Sequence, residues 1–318
     1  MKPQVLVFDS DADRYVAELA QAQPGYDFIP ARTLEQAFEL CAGAEILLTL
    51  APFVPRPLIA NMPRLRWIQA LTTGTDNLLY DMPELDPGVM ITSMRGIHGP
   101  QMAELAFSLM LALTRDLRGL FARQAHAVWR RSPQRLLYRR HAVLVGTGSI
   151  AEALAVRCQA FGMEVTGVSK NPRPVPNFDR VVSRADLIAT AAAADFLIVL
   201  VPYDDSTHCL IGADVIGAMK QDAMLISLSR GKIVDEDALL AALEAGRLGG
   251  AGLDVFNIEP LPREHPLWRS PKVIVTPHIG GNSDIYVEQA MPILLQNFAA
   301  HAAGRPDLMR NMVRLGTL

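Results

Sequence analysis

Cysteine is scarce in this chain of 318 residues: only Cys41, Cys158 and Cys209 are present. Three widely spaced thiols build neither a disulfide framework nor a zinc pattern. Each reads as a small core residue in a reducing compartment, and no metal site is expected. Strong charge is also missing. A net charge of −3 gives no general attraction to nucleic acid or to an anionic membrane. The local cluster Arg130, Arg131, Arg135, Arg139 and Arg140 reads as a solvated connector, with phosphate binding as its sharper alternative. Long apolar runs are absent too. The longest, near Ala189 to Val201, is interrupted by Asp195 and is unsuited to crossing a bilayer. The N-terminus, MKPQVLVFDSDAD, meets acid too soon for a signal peptide. These absences leave a cytoplasmic protein with a small-molecule partner, without nucleic acid or membrane. Half of its residues are apolar, which suits two domains with buried cores.

What is present is organised around His141 to Ala151, HAVLVGTGSIA. The apolar run Ala142 to Val145 is followed by Gly146, Gly148 and the small Ala151, in the spacing Gly-x-Gly-x-x-Gly/Ala. Helix-forming residues (Ala153 to Val156) come next. Strand, tight turn and helix in that order form the dinucleotide-binding fingerprint. Gly146 permits the turn, Gly148 lets backbone amides approach a pyrophosphate, and Ala151 lets the helix lie close to the strand. Helix-start N–H groups and the macrodipole favour the phosphates. A bare match is weak evidence, because Gly-rich turns are common. Here Phe161-Gly162 closes the helix and a second apolar run, Met163 to Val168, follows at βαβ spacing.

In chain order, Val5 to Phe8 reads as a buried strand ending at Asp9-Ser10-Asp11, which suits a helix cap. Phe28-Ile29 is a second strand, Thr33 to Leu40 a helix ended by Gly43, and Glu45 to Leu50 a third strand. Pro52 to Pro57 starts another helical segment. Trp67 to Leu71 is a strand running into Thr72-Thr73-Gly74-Thr75-Asp76-Asn77, and Val89 to Thr92 follows. The alternation predicts a small parallel α/β domain. Gln101 to Leu120 then carries Met102, Leu105, Ala106, Leu109, Met110, Leu113 and Leu117 as one apolar stripe at helical spacing. It reads as a core helix linking two domains or, equally, as a subunit interface. From there strands Val143 to Val145, Val165 to Val168, Phe196 to Val201, Met224 to Leu228, Ala251 to Val255 and Val273 to Thr276 alternate with helices such as Asp214 to Met219 and Glu236 to Ala245. This predicts a doubly wound sheet. Ser283 to His301 reads as a long helix, after which the chain returns to the first domain.

Ligands of open parallel sheets bind beyond the carboxyl ends of the strands. Four ionisable residues fall just after late apolar runs: Arg230 after MLISLS, Asp254 after GAGL, Glu259 shortly beyond, and His278 after VIVTP. Singly, each has a plain alternative as surface arginine, cap, loop acid or structural histidine. Together they suit hydride transfer between a nicotinamide and a 2-oxo or 2-hydroxy acid. A histidine exchanges the proton on the substrate oxygen, and a neighbouring carboxylate orients it. An arginine holds the substrate carboxylate and polarises the carbonyl.

The segments Met219-Lys220 with Leu225 to Asp235, Gly252 to Phe256 with Glu259 to Pro262, Pro266 to Trp268, and Thr276 to His278 resemble the signatures of the D-isomer-specific 2-hydroxyacid dehydrogenases. The resemblance spans nearly the whole chain. It implies Arg230, Glu259 and His278 as the catalytic set. It also implies a Rossmann-type nucleotide domain (99–283) inserted into a discontinuous flavodoxin-like α/β substrate domain (1–98 and 284–318). A homodimer using the helix from Gln101 is implied as well. By the same resemblance, backbone amides at Thr73 and Gly74 hold the substrate carboxylate and Leu50 lines the pocket. The cofactor would meet Gly146, Thr147, Gly148, Ser149, Ile150, Ser169, Lys170, Arg173, Val201, Pro202, Thr207, Leu228, Ser229, Arg230, Asp254, His278 and Gly280. Two positions depart from the pattern: Ser227 replaces a frequent asparagine, and His98 stands where many relatives carry asparagine. The other histidines, His126, His141, His208, His265 and His301, have no partner pattern and read as structural.

NAD enzymes place an acid about 20 residues past the Gly-rich turn to bind the ribose. Here that stretch is Val168-Ser169-Lys170-Asn171-Pro172-Arg173, which has no acid. Ser169, Lys170 and Arg173 suit a 2′-phosphate, so NADP(H) is expected ahead of NAD(H). The expected activity is reduction of a small 2-oxoacid of the glyoxylate/hydroxypyruvate type to the D-2-hydroxyacid. A dehydrogenase for a bulkier 2-hydroxy acid, with Leu50, His98 and Trp129 bearing on the choice, is the alternative within enzymes. A nucleotide-sensing, corepressor-like binding protein is the alternative outside them.

Overall fold

The computed structural model describes residues 2–80, 82 and 85–314. Contacts divide the chain into two units, Met1–Ile97 with Ser283–Leu318, and His98–Asn282. In the first unit the opening apolar run becomes β1 (Gln4–Phe8), followed by α1 (Ala12–Ala22), β2 (Asp27–Ala31) and α2 (Leu34–Leu40). The expected cap of α1 takes a different form. Asp9 Oδ1 accepts from Asp11 N at 2.8 Å, and Asp11, at the N-cap, caps no helix N–H with its side chain, which instead accepts from Arg14 Nη1 at 3.5 Å. At α2 Thr33 is the cap: its Oγ1 accepts from Gln36 N at 3.3 Å, and Gln36 Oε1 accepts from Arg32 N at 2.8 Å. Next come β3 (Ile46–Thr49), α3 (Arg56–Ala60), β4 (Trp67–Ala70), α4 (Asp76–Tyr80) and β5 (Met90–Thr92). The segment from Pro52 to Pro57 is divided between a 3-10 turn, Ala51–Phe53, and the start of α3.

The second unit opens on α5 (Gly99–Thr114) and α6 (Leu117–Ala125), where the stripe predicted one helix. Asp116 makes the break: it adopts a left-handed φ of +49°, and its carboxylate caps α6 at Gly119 N, 3.1 Å away. The apolar spacing runs across this cap, which hid the break. No residue of α6 is buried, whereas Met102, Ala106, Leu109 and Met110 of α5 are. Then follow β6 (His141–Val145), α7 (Ser149–Ala160), β7 (Glu164–Ser169), β8 (Arg180–Ser183), α8 (Leu187–Ala193) and β9 (Phe196–Val199). Next are α9 (Ala213–Ala218), β10 (Met224–Ser227), α10 (Glu236–Glu244), β11 (Gly250–Leu253) and β12 (Val273–Val275). The chain returns to the first unit through α11 (Tyr286–Ala302), three residues later than the predicted start, and β13 (Met312–Arg314).

The first sheet has the order β13-β5-β4-β3-β1-β2. It is parallel except for β13, which pairs antiparallel with β5. Tyr15 and Leu19 of α1 and Leu294 and Phe298 of α11 cover one face; Ala37, Leu58 and Ile59 cover the other. The second sheet has the order β12-β11-β10-β9-β6-β7-β8 and is parallel throughout. Its strand order reverses at β6, beside the Gly-rich turn, as in a doubly wound nucleotide-binding sheet. One face packs against α5 and α7, the other against α8, α9 and α10. No helix among the described residues is long and apolar enough to cross a membrane. Cys41 and Cys158 are buried as expected; Cys209 is instead exposed, in a turn at φ +47° that no core position offers.

Candidate active site

Three late strands of the second sheet deliver Arg230, Asp254 and His278 to one edge. Arg230 lies just past β10, Asp254 directly follows β11, and His278 is three residues beyond β12. The packing there has little tolerance. A Cβ on Gly231 would fall 1.9 Å from the backbone carbon of Phe256, so only glycine lets the Arg230 segment abut the turn that leads to Glu259. Asp254 is 1% exposed. Its carboxylate accepts from Thr276 Oγ1 at 2.6 Å, Ile279 N at 3.0 Å and Gly280 N at 2.9 Å. It thus clamps both sides of His278, which sits at a left-handed φ of +53°. Gly280 is tied into the same corner: a Cβ there would meet Met102 Sδ at 2.8 Å.

His278 Nδ1 lies 2.7 Å from Glu259 Oε2, and Glu259 Oε1 accepts from Phe256 N at 2.9 Å. Burial alone would raise the Glu259 pKa. The hydrogen bonds from His278 and Phe256, with the charges of His278 and Arg230, outweigh burial and hold it below the usual carboxylate value. Glu259 is therefore an anion at neutral pH and an acceptor for the imidazole. Arg230 Nη1 donates to Ser229 O at 2.7 Å. The buried hydroxyls of Ser227 and Ser229 have no hydrogen-bond partner.

At the other half of this edge, Gly146 adopts φ +111° and approaches the backbone of Leu200 and Val201; a Cβ there would come within 3.1–3.2 Å. Gly148 is the N-cap of α7. It has open space around its missing Cβ, and no side chain caps the helix. Thr147 packs its methyl against Gly167, while Ser149 is exposed and Ile150 half-buried. After β9, Val201 is buried and Pro202 exposed. The Thr207 hydroxyl lies 2.9 Å from Pro202 O and accepts from Asp204 N at 2.7 Å, closing that turn. Leu228 is core, Ser169 Oγ bonds Asn171, and Lys170 and Arg173 are exposed. Sequence reasoning missed Arg184, which follows β8 and donates to Ser206 O and Oγ at 3.2 and 3.1 Å. Its signal was a four-residue edge strand, RVVS, lying among polar residues.

Leu50, Thr73 and Gly74 belong to the first unit. Leu50 is half-buried at the end of β3, and Thr73 is exposed in the loop after β4, where Thr72 Oγ1 donates to Gly74 O at 2.7 Å. The residual histidines split. His141 is buried, with Nε2 2.8 Å from Thr166 Oγ1, and His301 stacks on Trp67. His265 faces Glu236 at 3.5 Å, whereas His208 is exposed beside Tyr203 and His126 is exposed at the end of α6. His98 is buried at the start of α5. In the basic cluster, Arg135 pairs with Asp222 at 3.0 Å and Arg140 with Asp195 at 3.5 Å, as a solvated connector would.

Residues 107–280, more than half of the chain, match the family model for the NAD binding domain of D-isomer specific 2-hydroxyacid dehydrogenases. The chain belongs to this family. It is an NAD(P)-dependent oxidoreductase of the 2-hydroxyacid dehydrogenase class. A glyoxylate reductase from Thermococcus litoralis is 32% identical over 272 residues, covering 82% of this chain and 81% of that protein. A glyoxylate/hydroxypyruvate reductase B from Escherichia fergusonii is 31% identical over 289 residues, covering 88% and 89%. A family protein of Aeromonas salmonicida superposes at a TM-score of 0.91 with 32% identity, over 99% of this chain and 100% of that one. A D-isomer specific 2-hydroxyacid dehydrogenase of Xanthobacter autotrophicus, solved with NADPH and MES, gives 0.81 with 27% identity over 97% of each. The residues of the Gly-rich turn fit a dinucleotide: the uncapped start of α7 and the open space over Gly148 leave N–H groups for a pyrophosphate.

Proposed function

We propose that the protein reduces a small 2-oxoacid of the glyoxylate/hydroxypyruvate type to the D-2-hydroxyacid, favouring NADPH and accepting NADH. The observation that carries the reading is the 2.7 Å His278–Glu259 contact, with Arg230 close enough to act on the same carboxylate. His278 donates the proton to the substrate oxygen through Nε2, because Glu259 engages Nδ1 and fixes the ring. Arg230 holds the substrate carboxylate and carbonyl and lowers the cost of charge on that oxygen. In the first unit we assign the backbone of Thr73 and Gly74 to the substrate carboxylate and Leu50 to its apolar side. The remaining coenzyme-binding assignments run from the Gly-rich turn and Ser169, Lys170 and Arg173 to Val201, Pro202, Thr207, Leu228, Ser229, Asp254 and Gly280. The nicotinamide, when bound, supplies the hydride. Two relatives named as glyoxylate or glyoxylate/hydroxypyruvate reductases, and a similar structure solved with NADPH, support the substrate and coenzyme.

The same reading takes 99–283, close to the contact unit His98–Asn282, as the dinucleotide-binding domain and 1–98 with 284–318 as the substrate domain. We assign the protein to a homodimer in the cytoplasm. Phe121, Trp129, Leu136 and Tyr138 are exposed large hydrophobic side chains, and a second copy would cover them. Buried free thiols at Cys41 and Cys158 support a reducing compartment. The test is a spectrophotometric scan of small 2-oxoacids with NADPH and NADH. Turnover of glyoxylate and hydroxypyruvate, faster with NADPH, is expected. Preference for bulkier acids, or no coenzyme oxidation at all, would replace the reading with the bulkier-acid enzyme or with a nucleotide-sensing protein. Light scattering of the purified chain decides the dimer.

A further inference from the structure

The strand order places β7 and β6 between β8 and β9. With strands about 4.8 Å apart, the exits of β8 and β9 stand roughly 14 Å from one another along the carboxyl edge. One side chain bridges them: Arg184, the first residue after β8, donates to Ser206 O and Oγ in the loop after β9. Ser206 Oγ in turn donates to Asp204 Oδ1 at 2.6 Å, and its N–H reaches the same oxygen at 2.7 Å. Register brings a second cation alongside. Ser169 of β7 pairs with Ser183 of β8, so the next residues out, Lys170 and Arg184, leave the sheet as neighbours. Asp204 is exposed, yet its pKa lies below the ordinary value. The Ser206 hydroxyl bond is the largest cause, and the charges of Arg184 and Lys170 act in the same direction.

We propose that Arg184 is a second 2′-phosphate-binding cation beside Lys170, and that Ser206 and Asp204 hold its guanidinium in place until the phosphate of the coenzyme displaces them. This rests on the NADPH preference proposed above and adds a residue and a counter-charge to it. A guanidinium suits a phosphate because it offers paired N–H donors in one plane. An exposed carboxylate next to it keeps the two cations from repelling each other when no phosphate is present. The same carboxylate gives NADH, which has a 2′-hydroxyl, no reason to break the clasp.

The experiment is calorimetric binding of adenosine 2′,5′-bisphosphate and of adenosine 5′-phosphate to the full-length chain, alongside KM values for NADPH and NADH. Arg184→Ala should weaken the bisphosphate at least tenfold and leave the monophosphate within twofold. Ser206→Ala, which removes the hydroxyl partner of the guanidinium but keeps the carbonyl one, should retain or strengthen bisphosphate binding, and Asp204→Asn should strengthen it a few-fold. Arg184→Ala affecting both ligands equally or neither, or Ser206→Ala losing as much as Arg184→Ala, would overturn the proposal and leave the clasp a purely structural tie. A native protein that binds both nucleotides alike would instead bring down the NADPH preference itself.

Discussion

Both units are parallel sheets flanked by helices, but they place their polar groups differently. In the second unit the buried carboxylate of Asp254 and the Glu259–His278 pair sit at the carboxyl edge, where strands end and ligands bind. In the first unit the buried polar side chains lie inside the sheet-helix layer. Trp67 Nε1 donates to Thr92 Oγ1, Thr92 Oγ1 donates to Gln69 Oε1, and Asn297 Nδ2 donates to the same Gln69 oxygen, each at 2.8 Å. Asn297 Oδ1 also accepts from Arg310 N at 2.6 Å. This network ties α11 and the segment before β13 to strands that precede the second unit in sequence. The first unit is discontinuous, and its polar core specifies where the returning chain docks. The second unit is continuous, and its buried Asp254 positions the segment that carries His278. Function and stability should therefore separate cleanly between the two.

The sharpest break of that comparison is His278→Ala. His278 is exposed and held by Asp254 on either side, so its loss should leave the urea midpoint and NADPH affinity nearly unchanged. Turnover should fall by roughly 10³-fold, within the usual range for a lost general acid. Equal losses of turnover and coenzyme binding would contradict its role as proton donor.

Asn297→Ala is the reverse experiment. It removes one donor from the buried Gln69 Oε1 and leaves Arg310 N, in a part-buried bond, without its acceptor; a buried group left unsatisfied costs about 1–3 kcal/mol. Urea unfolding should show a destabilisation of about 2–4 kcal/mol while kcat at low temperature stays within twofold. A large fall in kcat with unchanged stability would mean that the polar core of the first unit serves catalysis after all.

The nucleotide half of the second edge sits between these extremes, since Lys170 and Arg173 are exposed. Lys170→Asp should raise KM for NADPH about tenfold relative to NADH, close to 1.4 kcal/mol of lost phosphate affinity, and Arg173→Ala should shift the ratio less. An unchanged ratio would remove the cofactor argument without touching the catalytic one.

What could be read in advance follows the same division. The gathering of Arg230, Glu259 and His278 could be anticipated because Arg230 and His278 each follow an apolar run and Glu259 lies shortly beyond another. The Gly-rich turn was legible because its spacing reflects local backbone geometry, φ +111° at Gly146. Local periodicity did not show that Asp116 would turn left-handed and divide an unbroken apolar stripe into α5 and α6. Nor did it show β8, a half-buried edge strand without apolar alternation. The Arg184–Ser206 bond joins residues 22 apart through the order β8-β7-β6-β9, so it exists only once the sheet is assembled. The Gln69–Asn297 bond spans 228 residues and was hidden for the same reason.

The smallest effect tests whether the first unit's polar core carries a pH dependence of its own. His301 packs against Trp67 with ring centroids 5.1 Å apart, and its Nδ1 is 2.7 Å from Tyr26 Oη. Burial lowers its pKa below the ordinary 6.5, and the charge of Glu45 opposes that only in part. As pH falls, the unfolded chain takes up this proton before the folded one does. The contribution to stability is therefore complete above about pH 6.5 and is lost as pH falls from there towards the lowered folded pKa. Between pH 7.5 and 5.5 the native protein should lose more unfolding free energy than His301→Phe, by less than about 1.4 kcal/mol, the value of one pKa unit. The ratio of hydroxypyruvate to glyoxylate turnover should not differ between the two proteins at either pH. Parallel stability profiles would show that His301 is already as accessible to protons when folded as when unfolded. A changed turnover ratio would show that the first unit's core is coupled to the substrate contacts proposed for Thr73 and Gly74, which a clean separation of function and stability excludes.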